Sequence, residues 1–273
     1  MKKISRAAAF GGKTVIGLLF ISPLLVGLVF SFLPNEMLFK VPSFEEIKQN
    51  LTLDNYVWVL NYIPILRYLL NSFIVCGIVI VVQVVLDCLA GYSFACFEFP
   101  GKKLLFSTIL IAMMIPGEVT VIANFLQIQK WGLLNTYLGL SVTSFVGGTG
   151  IFMMRQFFLQ IPYSIKDAAR VDGCGELRFL MSVAAPMASP AIASLAIYLF
   201  IAVYNMYFWP MLVGQKTEMQ TIQIGMSMLA GVENKEYGHV LAGAMISILV
   251  PVIIFIFGQD FIIRGMTEGA EKG

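Results

Sequence analysis

The chain alternates between long apolar stretches and shorter polar connections. Six stretches approach or exceed the roughly 20 residues that a helix needs to cross about 30 Å of hydrocarbon. They lack the two-residue alternation of barrel strands, and only helices and closed barrels satisfy backbone hydrogen bonds in lipid. We therefore predict an all-α integral membrane protein whose six transmembrane helices cover approximately residues 14–33, 69–95, 104–127, 137–158, 188–213 and 239–263.

Composition supports a single transmembrane domain over residues 1–273. Hydrophobic residues make up 58% of the chain and charged residues 12%, whereas soluble domains average about 25% charged residues. The net charge of +2 is too small to indicate a nucleic-acid partner. The four cysteines and the single histidine, His239, have no spacing typical of a metal site. No metal, cofactor or catalytic residue is predicted.

The lysines and arginines predict that both termini are cytoplasmic, because basic residues concentrate on the cytoplasmic side of membrane proteins. The first apolar stretch is expected to stay attached, since it is longer than the apolar part of a signal peptide and "SFLPNEM" offers no small-residue cleavage site. Twelve basic residues then lie inside (Lys2, Lys3, Arg6, Lys13, Lys102, Lys103, Arg155, Lys166, Arg170, Arg178, Arg264, Lys272) and six outside (Lys40, Lys48, Arg67, Lys130, Lys216, Lys235).

One polar stretch, "IPYSIKDAARVDGCGELRFLMSVAAPMASP", separates the fourth and fifth predicted spans and is therefore predicted to be cytoplasmic. Ser164 is predicted to cap the start of a short helix, and Asp167 three residues later completes an acidic variant of the capping box. The helix is expected to run to about Asp172.

Gly173 is expected to end this short helix, because glycine adopts the left-handed conformation at little steric cost. A second helical run, "ELRFLMSVAA", leads to Pro186 and the fifth span. Residues 162–185 are thus predicted to form a compact helix-turn-helix. Such a segment is either a stiff connector or a surface for a partner.

Four sequence segments resemble permease subunits of maltose-type, binding-protein-dependent ABC importers. "DAARVDGCGELRFLMSVAAPMASP" resembles their Glu-Ala-Ala loop, "LLNSFIV" and "LAGYSFACFEFPGKK" resemble the start and end of their second span, and "QDFIIRGMTEGAEKG" resembles their C-terminal tail. The chief departure is an aspartate in place of the usual glutamate, which keeps the charge but shortens its reach. The matching loop positions are Asp167, Ala168, Ala169, Asp172 and Gly173, followed by Phe179, Pro186 and Pro190.

The resemblance implies a mechanism and a set of partners. The short helix would be a coupling helix that docks on a separate ATPase subunit and passes its movement to the membrane helices. The partners would be a second homologous permease, two ATPase subunits and an external solute-binding protein. The cargo would be a sugar or oligosaccharide, with a glycerophosphate-like solute as the main alternative. "GGKT" at residues 11–14 mimics the end of a Walker A motif, but Ala7 occupies the position of its first glycine, so ATP hydrolysis belongs to another chain.

Ionisable residues inside predicted spans are costly and mark sites of function or packing. Asp87 of the second span either has such a role or lies at the cytoplasmic membrane boundary. Glu118 follows a Pro-Gly pair, which predicts a helix break beside a water-filled path or a simple kink. Asp260 and Arg264, four residues apart, are predicted to form a local salt bridge.

The end of the fifth span is aromatic, with "YNMYFWP" covering Tyr204 to Pro210. Tyrosine and tryptophan there form either a belt at the membrane boundary or a wall that stacks on sugar rings. Asn205 has donors and acceptors that suit sugar hydroxyl groups, although a hydrogen bond between helices would also explain it. Tyr204, Asn205 and Glu118 are therefore the candidate residues of a substrate path.

Two other classes of protein deserve comparison. An ion-coupled secondary carrier would explain the spans and Asp87, but it leaves the charged loop unexplained. An intramembrane hydrolase would need a nucleophile and a base, and His239 lacks the sequence context of either a serine or a zinc hydrolase. The sequence therefore favours a permease subunit in a bacterial inner membrane.

Overall fold

The computed structural model describes residues 2–232 and 236–267, and the side chains of residues 12–232 and 236–259. These residues form helices and loops, with no β-strand among them. The helices are α1 (Lys2–Ser31), α2 (Phe44–Gln49), α3 (Asp54–Tyr62), α4 (Ile65–Cys96), α5 (Lys102–Met113), α6 (Gly117–Lys130), α7 (Tyr137–Ser141), α8 (Gly148–Phe158), α9 (Tyr163–Val171), α10 (Glu176–Phe179), α11 (Ala185–Met187), α12 (Ser189–Tyr204), α13 (Phe208–Val213), α14 (Ile222–Ala230) and α15 (Tyr237–Thr267).

Several residues used in the sequence analysis lie outside the described side chains. The predicted Asp260–Arg264 salt bridge and the predicted C-terminal tail fall there. So do the side chains of Lys2, Lys3, Arg6, Lys235 and Lys272. The remaining basic residues lie within the described part of the chain.

Three of the predicted spans are long continuous helices. The apolar segments are Gly12–Ser31 in α1, Ile65–Cys96, which is all of α4, and Tyr237–Gln259 in α15. With 32 residues, α4 is about 48 Å long at 1.5 Å per residue, which exceeds the roughly 30 Å of hydrocarbon. α4 is therefore long enough to cross the apolar layer at a tilt or to extend beyond it.

The other three predicted spans are bent pairs of helices. The bends measure 97° between α5 and α6, 53° between Tyr137–Ser144 and α8, and 79° between Glu176–Met187 and α12. Pro116 caps α6 at the first bend and confirms the predicted break before Glu118, since proline cannot continue the helical hydrogen bonds.

The sequence analysis predicts a single helix over residues 188–213, but the structure divides this stretch into two helices. The chain leaves helical geometry after Tyr204 and resumes it in α13. A π-helix over Leu180–Ala184 also precedes α12. Apolar composition marks these segments as membrane-embedded, but it does not specify where their hydrogen-bond ladders are interrupted.

The chain divides into two compact units, one comprising Met1–Leu66 and Gly225–Val250 and the other Arg67–Ile224 and Pro251–Gly273. In the first unit, buried Asn55 holds the end of α1. Its amide donates to the carbonyls of Ser31 at 3.0 Å and Leu33 at 2.9 Å, which compensates for helical partners lost where the helix ends. His239 stacks on Trp58 in the same unit, with ring centroids 3.9 Å apart.

In the connection after α1, the residues at the start of α2 are themselves sufficient to define where this helix begins. Ser43 and Glu46 form a complete capping box at the beginning of α2, in which each residue satisfies a backbone donor. Hydrogen bonds from the Ser43 backbone amide and then its hydroxyl hold the pKa of the Glu46 carboxyl below its usual value.

In the second unit, α4 and α8 cross closely over a buried core. A Cβ atom at Gly91 would lie 2.7 Å from the Met154 Cβ and 2.9 Å from the Arg155 amide nitrogen, so only glycine permits this approach. The core comprises Cys88, Tyr92, Met154, Phe158, Phe179, Leu180, Ala184, Ala188, Ala191, Leu195 and Leu199.

Asp87 is fully buried in this crossing. Its carboxylate lies against Gly150 in the first turn of α8, where a side chain would overlap it. The N-terminal end of a helix favours a negative charge. Asp87 is therefore placed as a packing and electrostatic element between α4 and α8.

Candidate functional site

The α9 segment forms the helix that the sequence predicted, but its start differs from the prediction. Pro162 occupies the N-cap position, and no side chain caps the helix. Ser164 lies two residues after the N-cap position and does not cap the helix, and Asp167 does not complete a capping box. Its carboxylate instead lies 4.0 Å from the Arg170 guanidinium, with both side chains exposed. The predicted capping role of both residues is wrong, because proline at the N-cap moves the helix start towards the N-terminus.

α9 ends just before Gly173, in the turn that the sequence predicts there. Gly173 has a φ of +74°, and its amide donates to the Arg170 carbonyl at 3.0 Å. The next amide, of Cys174, donates to the Ala169 carbonyl at 2.9 Å. This pair of hydrogen bonds is a Schellman motif. It ends the helix sharply and turns the chain back towards α10.

One face of α9 packs against the core of the second unit. Ile165 and Ala169 contact this core, and Lys166 is 8% exposed. The Lys166 ammonium lies 3.3 Å from the Cys96 carbonyl at the end of α4. It also lies 5.4 Å from the centre of the Phe97 ring, so its charge is shared between a carbonyl and aromatic faces. α9 is thus fixed to the end of α4.

Glu176 completes this attachment. The Tyr92 hydroxyl donates to its Oε2 at 2.6 Å, and the Lys166 ammonium lies 3.4 Å from the same oxygen. The Arg170 guanidinium donates to Oε1 at 3.2 Å. One carboxylate therefore connects α4, α9 and α10. We call Tyr92, Lys166, Arg170 and Glu176 the carboxylate clasp.

Sequence reasoning did not identify the carboxylate clasp. Lys166 and Arg170 are four residues apart on a predicted helix, and this spacing indicates a shared face. The carboxylate of Glu176, six residues after Arg170, could have been recognised from the sequence as their partner. Tyr92, however, is 84 residues away from Glu176 in sequence, and no local pattern reveals that contact.

The opposite face of α9 is open. Asp167, Ala168, Asp172 and Gly173 are exposed, whereas Ala169 is turned towards the core. Val171 is 88% exposed on this side of the molecule. The open face therefore combines small, acidic and apolar side chains on a helix that is held firmly from behind.

The second candidate region is a cleft of about 340 Å³ beside the start of α6. It brings Glu118 next to Tyr207 and Trp209, which follow α12. Polar groups of Thr120, Asn124 and Ser144 also line it. A carboxylate, hydroxyl groups and an amide beside aromatic rings can hydrogen-bond to and stack on a polyhydroxyl molecule.

The predicted path residues do not all reach this cleft. Tyr204 is 3% exposed and stacks on Phe200 with ring centroids 5.3 Å apart. Asn205 is exposed at the end of α12, donating to the Ile201 carbonyl at 2.8 Å and accepting from the Gln223 amide at 3.3 Å. The structure therefore places Glu118 in the cleft but neither Tyr204 nor Asn205 in its lining.

The described residues offer no group of three His, Cys, Asp or Glu side chains that could hold a metal ion. The four cysteines carry free thiols, with Cys76 and Cys88 buried.

These features define a helical membrane protein that crosses the bilayer with three long helices, or with six spans if each bent pair counts as one. Residues 48–268 match the family described as "Binding-protein-dependent transport system inner membrane component". The chain belongs to this family. It is accordingly a permease component of the bacterial inner membrane, and the predicted resemblance is confirmed.

Three relatives match this chain over most of its length. The arabinooligosaccharides transport system permease protein AraQ of Halalkalibacterium halodurans is 32% identical over 224 residues, covering 82% of this chain and 80% of the relative. AraQ of Bacillus subtilis strain 168 is 30% identical over 261 residues, covering 95% and 93%. The sn-glycerol-3-phosphate transport system permease protein UgpE of Agrobacterium fabrum is 32% identical over 204 residues, covering 74% and 72%.

Two solved structures share the fold. The crystal structure of a bacterial ABC transporter that imports the acidic polysaccharide alginate covers 95% of this chain and 96% of its own, with a TM-score of 0.77 and 22% identity. The alginate transporter in complex with an alginate pentasaccharide-bound periplasmic protein covers 94% and 93%, with a TM-score of 0.65 and 17% identity. Family membership favours a transport subunit over the intramembrane hydrolase considered above.

Proposed function

We propose that this chain is one of two permease subunits in an ATP-driven importer of a sugar or oligosaccharide. The observation that carries the proposal is the geometry of α9, a short helix held from behind by the carboxylate clasp and open on its other face. Family membership supports an importer. The names of the AraQ relatives support an oligosaccharide cargo.

In the proposed mechanism, α9 is the coupling helix and docks on a separate ATPase subunit through its open face. The docking residues are Asp167, Ala168, Ala169, Asp172 and Gly173, with Ala169 acting by packing the helix onto the core. Closure of the ATPase pair pushes α9 as a rigid body, because its inner face and its terminal turn are both fixed.

The carboxylate clasp carries this push into the membrane. A displacement of α9 moves Lys166 and Arg170, and their contacts with Glu176 move Tyr92 near the end of α4. The same movement reaches α12 through α10 and the π-helix that follows it. Two membrane helices are thereby displaced by one docking event, which is the physical requirement for coupling hydrolysis to a change of access.

The proposed orientation has both termini and α9 in the cytoplasm, as the distribution of lysine and arginine predicts. The proposed partners are a second homologous permease, two ATPase subunits and an external solute-binding protein. The alginate transporter of similar fold was solved with a periplasmic protein, which supports a binding protein on the opposite side from α9.

The proposed substrate path includes Glu118 in the cleft beside α6 and Asn205 at the end of α12, whereas buried Tyr204 supports the end of α12 by packing on Phe200. The described residues that line the cleft include one carboxylate and no lysine or arginine. A neutral polyhydroxyl solute suits this lining, because a phosphate group would meet a like charge and no cation. This observation favours a sugar over the alternative cargo, a glycerophosphate, which the UgpE relatives transport by name.

The function is tested by reconstituting the chain with its partner permease, ATPase subunits and binding protein in proteoliposomes. We expect ATP-dependent uptake of at least one carbohydrate from a labelled panel of mono- and oligosaccharides. Uptake of sn-glycerol 3-phosphate alone would replace the sugar with the alternative cargo. Uptake driven by an ion gradient without ATP would overturn the proposal.

A further inference from the structure

A second cleft lies where α4 ends and α5 begins. It has a volume of about 800 Å³ and is lined by the turn that contains Glu98, Phe99 and Gly101, together with Arg155 of α8. The turn belongs to "LAGYSFACFEFPGKK", and the coupling mechanism uses Tyr92 of this segment but none of residues 98–103. Since this turn joins two membrane-embedded helices, the cleft opens near a boundary between lipid and water.

The cleft has an excess of positive charge. Its lining contains Lys102, Lys103 and Arg155 but one carboxylate, that of Glu98. The Lys102 ammonium binds the Phe97 carbonyl at 2.8 Å and the Glu98 carboxylate at 2.9 Å. Lys103 is exposed. One ion pair therefore leaves two cationic side chains facing an open volume.

The arginine is held in place from two sides. Its Nε donates to the Phe94 carbonyl at 3.2 Å, and its guanidinium lies 4.3 Å from the centre of the Phe106 ring. Arg155 thus has a fixed position, which reduces the conformational entropy lost when an anion binds.

The start of α5 adds to the positive potential. Gly101 caps it with a φ of +80° and no side-chain hydrogen bond, and the first turn contains two lysines and no acidic residue. Cations are normally unfavourable at the N-terminal end of a helix, which itself attracts anions. A bound anion would stabilise both the lysines and the helix end.

Apolar groups border the basic ones. Phe99, Leu104 and Phe106 line the same cleft, and Leu104 is 72% exposed. Basic pockets beside membrane helices bind lipid headgroups, and apolar borders suit acyl chains. A small soluble anion would gain nothing from this border.

We infer that this cleft binds the phosphate group of an anionic membrane phospholipid, with Lys103 and Arg155 contacting the phosphate and Leu104 contacting the acyl chain. The inference goes beyond the proposed function and depends on neither the ATPase nor the cargo. A free phosphate compound shares the headgroup chemistry, so the experiment separates the two sources.

The test is native mass spectrometry of the purified full chain in mild detergent, titrated with dioleoylphosphatidylglycerol or dioleoylphosphatidylcholine. We expect tighter binding of the anionic lipid. Lys103→Gln should weaken it roughly fivefold, as loss of one basic residue near an anionic group predicts, and Lys103→Arg should retain it. Lys130→Gln, at the end of α6, is the matched control and should change nothing.

A second variant that binds the lipid more tightly is needed, because misfolding could explain a loss of binding but not a gain. Glu98→Gln removes the carboxylate of the cleft and should strengthen binding of phosphatidylglycerol. Equal binding of the two lipids, or equal binding by the Lys103 and Glu98 variants and the unaltered chain, would overturn the inference. Displacement of the lipid by sn-glycerol 3-phosphate at comparable concentration would also overturn it, because the site would then bind a free phosphate compound.

Discussion

The Tyr92 hydroxyl donates a 2.6 Å hydrogen bond to the Glu176 carboxylate and so joins the last turns of α4 to the beginning of α10. Tyr92 is 3% exposed, and the carboxylate also binds side chains of α9. A single phenolic oxygen therefore connects the segment proposed to contact the ATPase with a membrane-spanning helix.

Tyr92→Phe should weaken coupling while leaving the protein inserted. The substitution keeps the ring in the core and removes only a hydrogen bond to a charged acceptor, an interaction of about 1.5–3 kcal/mol when buried and less here, since the carboxylate is partly exposed. We expect basal ATP hydrolysis to be retained and its stimulation by the binding protein to fall severalfold.

Tyr198→Phe provides the matched control, because Tyr198 is 51% exposed on α12. Both variants are measured as assembled complexes in proteoliposomes. If Tyr92→Phe preserves stimulated hydrolysis and uptake in full, the carboxylate clasp holds the fold together without carrying coupling.

Gly173→Val should uncouple the permease from its ATPase. The positive φ of Gly173 imposes a steric penalty of roughly 1 kcal/mol or more on any residue with a Cβ atom, and more on a β-branched one. Gly175→Ala is the matched control, since Gly175 has a φ of −70° and a Cβ there meets nothing within 4 Å.

Gly173→Asn separates two causes of that effect. A Cβ atom at Gly173 also meets nothing within 4 Å in this chain, and asparagine tolerates the left-handed conformation. If Gly173→Asn retains stimulated hydrolysis, the defect of Gly173→Val arises from backbone strain at the positive φ of this position. A defect as severe as that of valine would assign it to collision with the docked ATPase. Full activity of Gly173→Val would mean that the segment is only a connector.

Asp167→Ala should leave the thermal stability of the permease nearly unchanged. Its carboxylate is 70% exposed and 4.0 Å from an exposed guanidinium, and such surface pairs contribute about 0–1 kcal/mol. Any reduction in co-purified ATPase would then report a direct contact with the partner. A clear drop in melting temperature would show instead that Asp167 has a structural role.

Glu118→Gln should weaken apparent transport affinity about threefold to tenfold, because a charged acceptor in the cleft is replaced by a neutral one. Asn205→Ala should change affinity or substrate preference while stimulated hydrolysis persists. Tyr204→Phe, buried outside the cleft, should transport normally. Unchanged uptake kinetics in Glu118→Gln and Asn205→Ala would remove both residues from the substrate path.

Single cysteines near Lys102 and Arg170 should react with impermeant reagents only from the cytoplasmic side. Those near Lys48 and Lys216 should react only from outside. The measurement requires a background without the four native cysteines, of which Cys174 lies half-buried beside the α9 turn. A reversed pattern at two of these positions would overturn the proposed orientation.

The sequence predicted the membrane-embedded segments and the α9 turn, because both depend on local properties. Apolar runs specify burial in lipid, and Gly173 specifies a left-handed residue. The bend at Ala188 and the break after Tyr204 were not predicted, since the same apolar composition suits straight and interrupted helices. The helix start was misassigned because Pro162 took the cap position ahead of Ser164.

Contacts between distant segments account for the rest of what was missed. Tyr92 and Glu176 are each ordinary residues of their own helices, and only the packing of α4 against α10, which also places the Tyr92 and Phe179 rings 6.3 Å apart, brings them together. Likewise, no sequence pattern indicated that Tyr204 would turn into the core while Tyr207 lines the cleft. The direction of these two side chains depends on where α12 ends and α13 begins, and apolar periodicity does not reveal those positions.

The unbroken length of α4 makes it a lever. Asn71, near its other end, donates to the Glu218 and Gln220 carbonyls at 2.8 Å, and it lies about 32 Å along the axis from Tyr92, at 1.5 Å per residue. A rod pivoting at its centre moves its two ends equally and in opposite directions. In the proposed mechanism, a sideways displacement of Tyr92 would therefore move the Asn71 end in the opposite direction, so that closing one side of the membrane and opening the other become a single movement.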